Sequence, residues 1–265
     1  SIGWCGYPLD KRIFPWNHAN CGDLNLSGER RPQSYLRETL WSDAPVSHIV
    51  VTPPVPSFPL NPNKADWSVW DFPDVVDHWN FPGYEGKKMT VSVYSNCEQV
   101  ELFLNGESLG KQENTADKKN TLVWEVPYAH GILKAVSYNK GGEVGTATLE
   151  SAGKVEKIRL SADRTEIVAD GNDLSYITLE LVDSKGIRNQ LAEELVEFSI
   201  AGDATIEGVG NANPMSIESF VANSRKTWRG SNLLVVRSGK SSGRIIVTAK
   251  VKALPVASIT ITQKK

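Results

Sequence analysis

The chain has 265 residues, 40% hydrophobic and 23% charged, with a formal net charge of −2. That length suits about two domains and the balance is that of a folded chain, while Lys and Arg are scattered without forming a stripe, so nothing marks a nucleic-acid partner. No run of about 18 apolar residues could span a bilayer, and the opening SIGWCGYPLDKR has neither a basic n-region nor an apolar h-region.

Six of the eight tryptophans and eleven of the fourteen prolines fall before residue 83, so the first third is a different kind of object from the Val-, Ile-, Thr- and Gly-rich remainder. Residues 1–31 keep neither a period of 2 nor one of 3.6 and read as a long irregular loop. Pro32 to Trp41 is the one helix: Pro32 suits its first position, and Tyr35, Leu36, Thr39 and Leu40 share a face. Residues 46–75 read as a proline-stiffened connector with one short strand, His48 to Thr52. From His78 to Gly110 alternation returns, and the spacing predicts a hairpin pairing Val91 and Val93 with Val100 and Leu102, then a tight turn at Asn105-Gly106. Leu122 to Val126, Ile132 to Tyr138 and Glu143 to Leu149 complete a β-sandwich over residues 76–153. Residues 154–265 carry eight further strand patterns: 155–162, 166–169, 177–182, 196–200, 205–208, 233–237, 244–251 and 257–262. Their spacing of roughly 8 to 12 residues suggests an immunoglobulin-like sandwich without the antibody Cys and Trp core.

Chemistry is sparse. Cys5, Cys21 and Cys97 form no CxxC and have no His at ligand spacing, so no metal site and no cofactor site is expected; Cys5 and Cys21 are either a disulfide or buried thiols. There is no Gly-x-Ser-x-Gly elbow, and Gly208-Val-Gly-Asn-Ala-Asn lacks the Lys-Ser/Thr and the helix of a phosphate loop. Asp10, Asp23 and Glu29 are carboxylates in an aromatic loop, but no strand precedes them to hold them to catalytic tolerance. The acids of DGNDLSYITLELVD fail calcium-loop spacing and read as turn formers. Trp67, Trp70 and Trp79 could stack on sugar rings; a cluster of this kind more often staples a connector to a sheet.

Three stretches resemble one family, the glycoside hydrolase family 2 enzymes of the β-galactosidase type. PWNHANCGDLNLSGERRPQSYLRETLW is similar to the loop after the last strand of that family's barrel and its final helix. Here Arg31-Pro32 replaces Lys-Pro, and Leu36 replaces the second Tyr of a Pro-Gln-Ser-Tyr-Tyr-Arg run. The Trp-Asn-Phe-Pro-Gly start at Trp79 and the VELFLNG turn resemble the β-domain that follows the barrel. LSADRTEIVADGNDLSYITLELVDSKG and VEFSIAGDATIEGVGNANPMSIESF resemble the terminal immunoglobulin-like domain.

The resemblance implies a mainly β chain: residues 1–45 a remnant of the last βα unit of a (β/α)8 barrel, the 46–75 connector, then two tandem sandwiches. It also implies the C-terminal portion of a retaining exo-glycosidase from the periplasm or secreted. The two catalytic glutamates lie on earlier barrel strands and match nothing here. The sugar partner, an oligo- or polysaccharide, is then met through the barrel, with Trp16, Asn17 and His18 on the rim of its pocket. Stripped of a barrel, residues 1–45 are expected to be displaced, partly ordered or self-associating. The competing reading is a carbohydrate-binding or adhesin-like tandem immunoglobulin-like module.

Overall fold

The computed structural model describes residue 15, residues 22–57 and residues 73–265. The chain divides into two compact units, Ser1–Ser151 and Ala152–Lys265.

The strands of the first unit are β1 (Ser47–Val51), β2 (Lys88–Ser95), β3 (Gln99–Leu104), β4 (Glu107–Glu113), β5 (Thr121–Pro127), β6 (Ile132–Asn139) and β7 (Gly142–Glu150). They form two antiparallel sheets, β1-β2-β5 and β4-β3-β6-β7. β5 shows why: Leu122, Trp124 and Val126 are buried while Val123 and Glu125 between them are exposed, the period of a strand with one face on a core. That core joins Ile49, Val91 and Leu122 of one sheet to Val100, Leu102 and Leu133 of the other. β1 is thus a pairing partner of β2, Ile49 opposite Val93, so residues 47–51 belong to the sandwich and the expected connector is shorter at its start.

The hairpin expected across residues 88–104 does not form. β2 pairs with β1 and β5, β3 pairs with β4 and β6, and Asn96-Cys97-Glu98 carries the chain from one sheet to the other. A hairpin and an arch between two facing sheets bury the same alternate residues, so alternation alone cannot separate them. Side chains supply the arch's hydrogen bonds. Asn96 accepts from the Val46 amide at 2.7 Å and donates to the Ser42 and Ala44 carbonyls at 3.0 and 2.9 Å, and Asn114 donates to the Ser95 and Cys97 carbonyls at 2.8 and 3.1 Å. Cys97 is a buried free thiol. The Asn105-Gly106 turn does form, with φ of 52° and 89°, the two positive values that a two-residue hairpin requires.

Trp79 is fully buried, which removes it from the sugar-stacking residues. Its ring packs edge-on against Phe81 and Tyr128 at 5.9 and 4.9 Å, and its indole N–H donates to the Ala129 carbonyl at 2.8 Å. A ring enclosed on both faces cannot receive a pyranose, and the burial of a Trp is worth more to a small core than its exposure.

The second unit holds β8 (Lys157–Ala162), β9 (Glu166–Val168), β10 (Leu174–Val182), β11 (Leu195–Ala201), β12 (Ala204–Gly210), β13 (Ser224–Lys226), β14 (Ser231–Ser238), β15 (Gly243–Val251) and β16 (Ala257–Lys264). The sheets are β12-β14-β10-β8 and β13-β11-β15-β16-β9. All pairs are antiparallel except β9 with β16, because the first strand of the sandwich leaves one sheet after Ala162 and joins the edge of the other at Glu166. Phe198, Ile177, Leu179, Leu234, Ile245 and Ile261 fill the core. β13 has no counterpart among the expected strands; three residues are too few to show a period. The acids of the 170–173 turn serve the backbone: Asp170 accepts from the Asn172 and Asp173 amides at 2.7 and 2.8 Å, which holds its carboxyl below the usual range.

Candidate functional site

The loop expected to border a substrate pocket and the helix after it are described from Gly22 onward. Asn25 organises the loop: its side-chain oxygen accepts from the Ser27 and Glu29 amides at 2.9 and 3.0 Å, and its amide donates to Glu29 at 3.0 Å. The chain closes there into a narrow turn with Leu24 bridged to Arg30. It enters a 3-10 turn at Pro32–Ser34 and α1 (Tyr35–Trp41). Pro32 at the first position needs no donor, as the sequence suggests.

α1 lies against β2, with Tyr35 and Leu36 packed on Val50, Val75 and Tyr94. Thr39 is buried and its hydroxyl and the Asn120 amide are 3.1 Å apart. The helix face expected from sequence is therefore bent at its end: Leu40 and Trp41 are 64% and 80% exposed. Seven residues make barely two turns, and Thr39 is the one buried residue among them.

Charged groups fasten this segment. Arg37 meets both oxygens of Asp23 at 2.6 Å, and Arg30 meets Glu38 at 2.7 Å while its guanidinium sits 3.9 Å over the Tyr35 ring. On β1, and paired face to face with Tyr35 at 3.5 Å with 14° between ring planes, is His48. Burial pushes its imidazole down to about 4, against the pull of Asp77 and Glu38 and with the help of Arg30. Its Nε2 is buried and has no hydrogen-bond partner among the described residues.

The sign of the resulting pH effect follows from linkage. The unfolded chain takes up this proton near pH 6.5 and the folded chain only near 4, so stability falls as pH drops through that window and is unaffected by His48 above it. The loss approaches about 3 kcal/mol by pH 4. In urea titrations between pH 7.5 and 4.5, His48→Phe should flatten the decline of the first unit; a slope equal to wild type would show that His48 is solvated when folded.

Asp23 and Glu29, the described members of the three loop carboxylates, are thus clamps of a loop and a helix, each held by an Arg or an Asn. An open depression of about 420 Å³ is floored by Asp23, Arg30, Arg37 and Glu38 and edged by Trp41. Among the described residues no three His, Cys, Asp or Glu side chains converge as metal ligands, and no helix is long and apolar enough to cross a membrane. Asp10, Trp16, Asn17, His18, Trp67, Trp70, Cys5 and Cys21 lie outside the described residues. The Tyr35–His48 pair escaped sequence reasoning because a residue on a helix and one on a strand have no fixed spacing; the sequence marks His48 only as a strand residue.

Residues 158–260 match the glycoside hydrolase family 2 C-terminal domain 5, and residues 86–145 match a domain of unknown function, DUF4982. The chain is 30% identical over 253 residues to beta-galactosidase BoGH2A of Bacteroides ovatus, covering 95% of this chain and 26% of that protein. It is 30% identical over 205 residues to a beta-glucuronidase of Formosa agariphila, 75% of this chain and 20% of that one. Among solved structures, a glycosyl hydrolase family 2 member from Bacteroides cellulosilyticus superposes with a TM-score of 0.96 at 99% identity, over 99% of this chain and 34% of that one. The chain therefore spans about a third or less of each of these three proteins. The agreement covers both sandwiches and the loop and helix before them, in the order in which the sequence has them. The chain belongs to glycoside hydrolase family 2, and it carries the C-terminal region of a protein of that family.

Proposed function

We propose that this chain is the non-catalytic accessory region of a retaining exo-glycosidase that hydrolyses β-galactosides in carbohydrate breakdown outside the cytoplasm. In this reading residues 1–45 are the last βα unit of its barrel, and the two sandwiches follow it as a scaffold. The observation that supports it is the use made of the loop carboxylates. Glycoside hydrolysis needs one carboxylic acid and one free carboxylate flanking the bond, and the two described loop carboxylates are engaged within the segment itself, Asp23 with Arg37 at 2.6 Å and Glu29 with the Asn25 amide at 3.0 Å. The relative matched over 95% of this chain is a beta-galactosidase and others are beta-glucuronidases, so a β-galactoside is placed first and a β-glucuronide next.

Two aryl glycosides, the 4-nitrophenyl β-galactoside and β-glucuronide, test this reading. The chain alone should release no nitrophenol from either, whereas the longer protein should turn over one of them and lose that activity when either barrel glutamate is changed to Gln. Turnover by the chain alone would overturn the reading.

Trp16, Asn17 and His18 then sit on the rim of the substrate pocket, since active sites of such barrels lie at the C-terminal ends of the strands. In the longer protein, Trp16→Ala should lower kcat/KM for the aryl galactoside by about tenfold, the order of one lost ring contact. An unchanged kcat/KM would remove Trp16 from the pocket.

A further inference from the structure

The outer face of the sheet β12-β14-β10-β8 departs from the pattern of a solvated sheet. An antiparallel sheet with one face on a core should carry polar residues on the other. Here the residues facing out from neighbouring strands include Tyr176 opposite Val235, and Leu233 in register with Thr178 and with Gly210. Tyr176 is 41% exposed.

The loop between β12 and β13 adds a second ring. Phe220 accepts from the Val209 amide through its carbonyl at 2.8 Å, like a short edge strand. Its ring lies against Gly210, where a Cβ would sit 3.8 Å from it. Even so, 49% of Phe220 remains exposed.

That ring is held in place. Arg225, fully buried, lies 4.2 Å from the ring centroid and donates to the Val209 and Glu218 carbonyls at 3.2 Å and to the Ser216 hydroxyl at 3.0 Å. A buried guanidinium is a costly way to order a loop, and what this one orders is an aromatic ring that stays open to solvent. Tyr176 stands on β10 and Phe220 at the free edge of β12, with β14 between the two strands. Beside the Tyr176 row, Arg237 and Glu207 form an ion pair through one contact of 2.8 Å, both side chains partly exposed. Two separated rings, a low aliphatic floor and a donor–acceptor pair complement what a pyranose chain presents: apolar ring faces and hydroxyl edges.

We infer that this face of the terminal sandwich binds a β-linked oligosaccharide, with Phe220 and Tyr176 as stacking platforms and Arg237–Glu207 as the hydroxyl-binding pair. The choice of carbohydrate as the occupant rests on the proposed role in a glycosidase; the binding itself requires no hydrolysis. The site would hold polymeric substrate independently of the pocket in which the bond is cut.

Calorimetric titration of the chain with cellotetraose, xylotetraose and β-1,4-galactotetraose tests this, because the chain is not expected to cleave them. At least one should bind saturably at millimolar concentration or below. Tyr176→Ala should weaken binding by about five- to tenfold, in line with the loss of one aromatic contact, and Val168→Ala, an exposed apolar change, should leave it unaltered. Phe220→Ala should act like Tyr176→Ala; if its melting curve shows that the loop has unfolded, Tyr176→Ala and Glu207→Gln carry the test. Absence of binding to all three sugars would overturn the inference, as would binding insensitive to Tyr176→Ala. So would concentration-dependent dimerisation abolished by Tyr176→Ala, since a second copy would then own the face. None of these outcomes bears on hydrolysis by the longer protein, so this inference and the proposed function can fail separately.

Discussion

Trp79→Ala lowers the unfolding free energy of the first sandwich by about 3–5 kcal/mol, the range for deleting a buried aromatic side chain. Three losses act together. The cavity left behind is bounded by Phe81 and Tyr128, which lose their edge-on contacts. The Ala129 carbonyl loses its indole donor. Tyr128 in turn is tied to the segment that carries Trp79, since its hydroxyl accepts from the Phe81 amide at 3.1 Å, so a collapse of Tyr128 into the cavity would break that bond. Trp79→Phe retains most of the volume but not the N–H donor, and should cost less, about 1–2 kcal/mol. Urea unfolding followed by near-ultraviolet circular dichroism separates the two variants. Equal midpoints for wild type and Trp79→Ala would mean that the ring is outside the core.

Arg225→Ala has the second large effect, about 3 kcal/mol on the terminal sandwich, because removing one member of a buried polar network strands the others. The Val209 and Glu218 carbonyls and the Ser216 hydroxyl all lose this donor, and Phe220 loses the group beneath it. Burial alone depresses the Arg225 pKa, with Glu218 opposing the shift from 4.0 Å, so the site already tolerates a charge that it only partly solvates. Arg225→Met, which fills the space without donors, should recover part of the loss. Amide exchange in residues 211–223 reads the effect directly: protection should fall throughout that loop in Arg225→Ala and hold at β15. Unchanged protection in the loop would show that its own turns suffice.

Much of the fold is written in local pattern. Leu122, Trp124 and Val126 alternate with exposed neighbours, and Asn105-Gly106 carries the positive φ values of its turn, so strand and turn can both be read from a few adjacent residues. Pro32 and the apolar residues after it likewise mark a helix start. The stacking candidates were less legible. Trp79 looks the same in sequence as an exposed platform, because a Trp with a preceding His and a following Asn says nothing about what covers it; Tyr128, 49 positions later, decides that. Phe220 and Tyr176 drew no notice, as each is a single aromatic in a β-rich stretch and only strand pairing brings them to one face.

The sequence by itself determined that the chain is two β-sandwiches after a loop and a helix, where most of their strands lie, and which family they resemble. These are properties of short windows, set by side-chain period, turn chemistry and motif order. Only the tertiary structure decided that β2 and β3 part into different sheets, that His48 lies under Tyr35, that Trp79 is enclosed and that Arg225 supports an exposed ring. Each depends on which distant segments meet, and burial, pKa and ring exposure are energies of those meetings, which no local pattern contains.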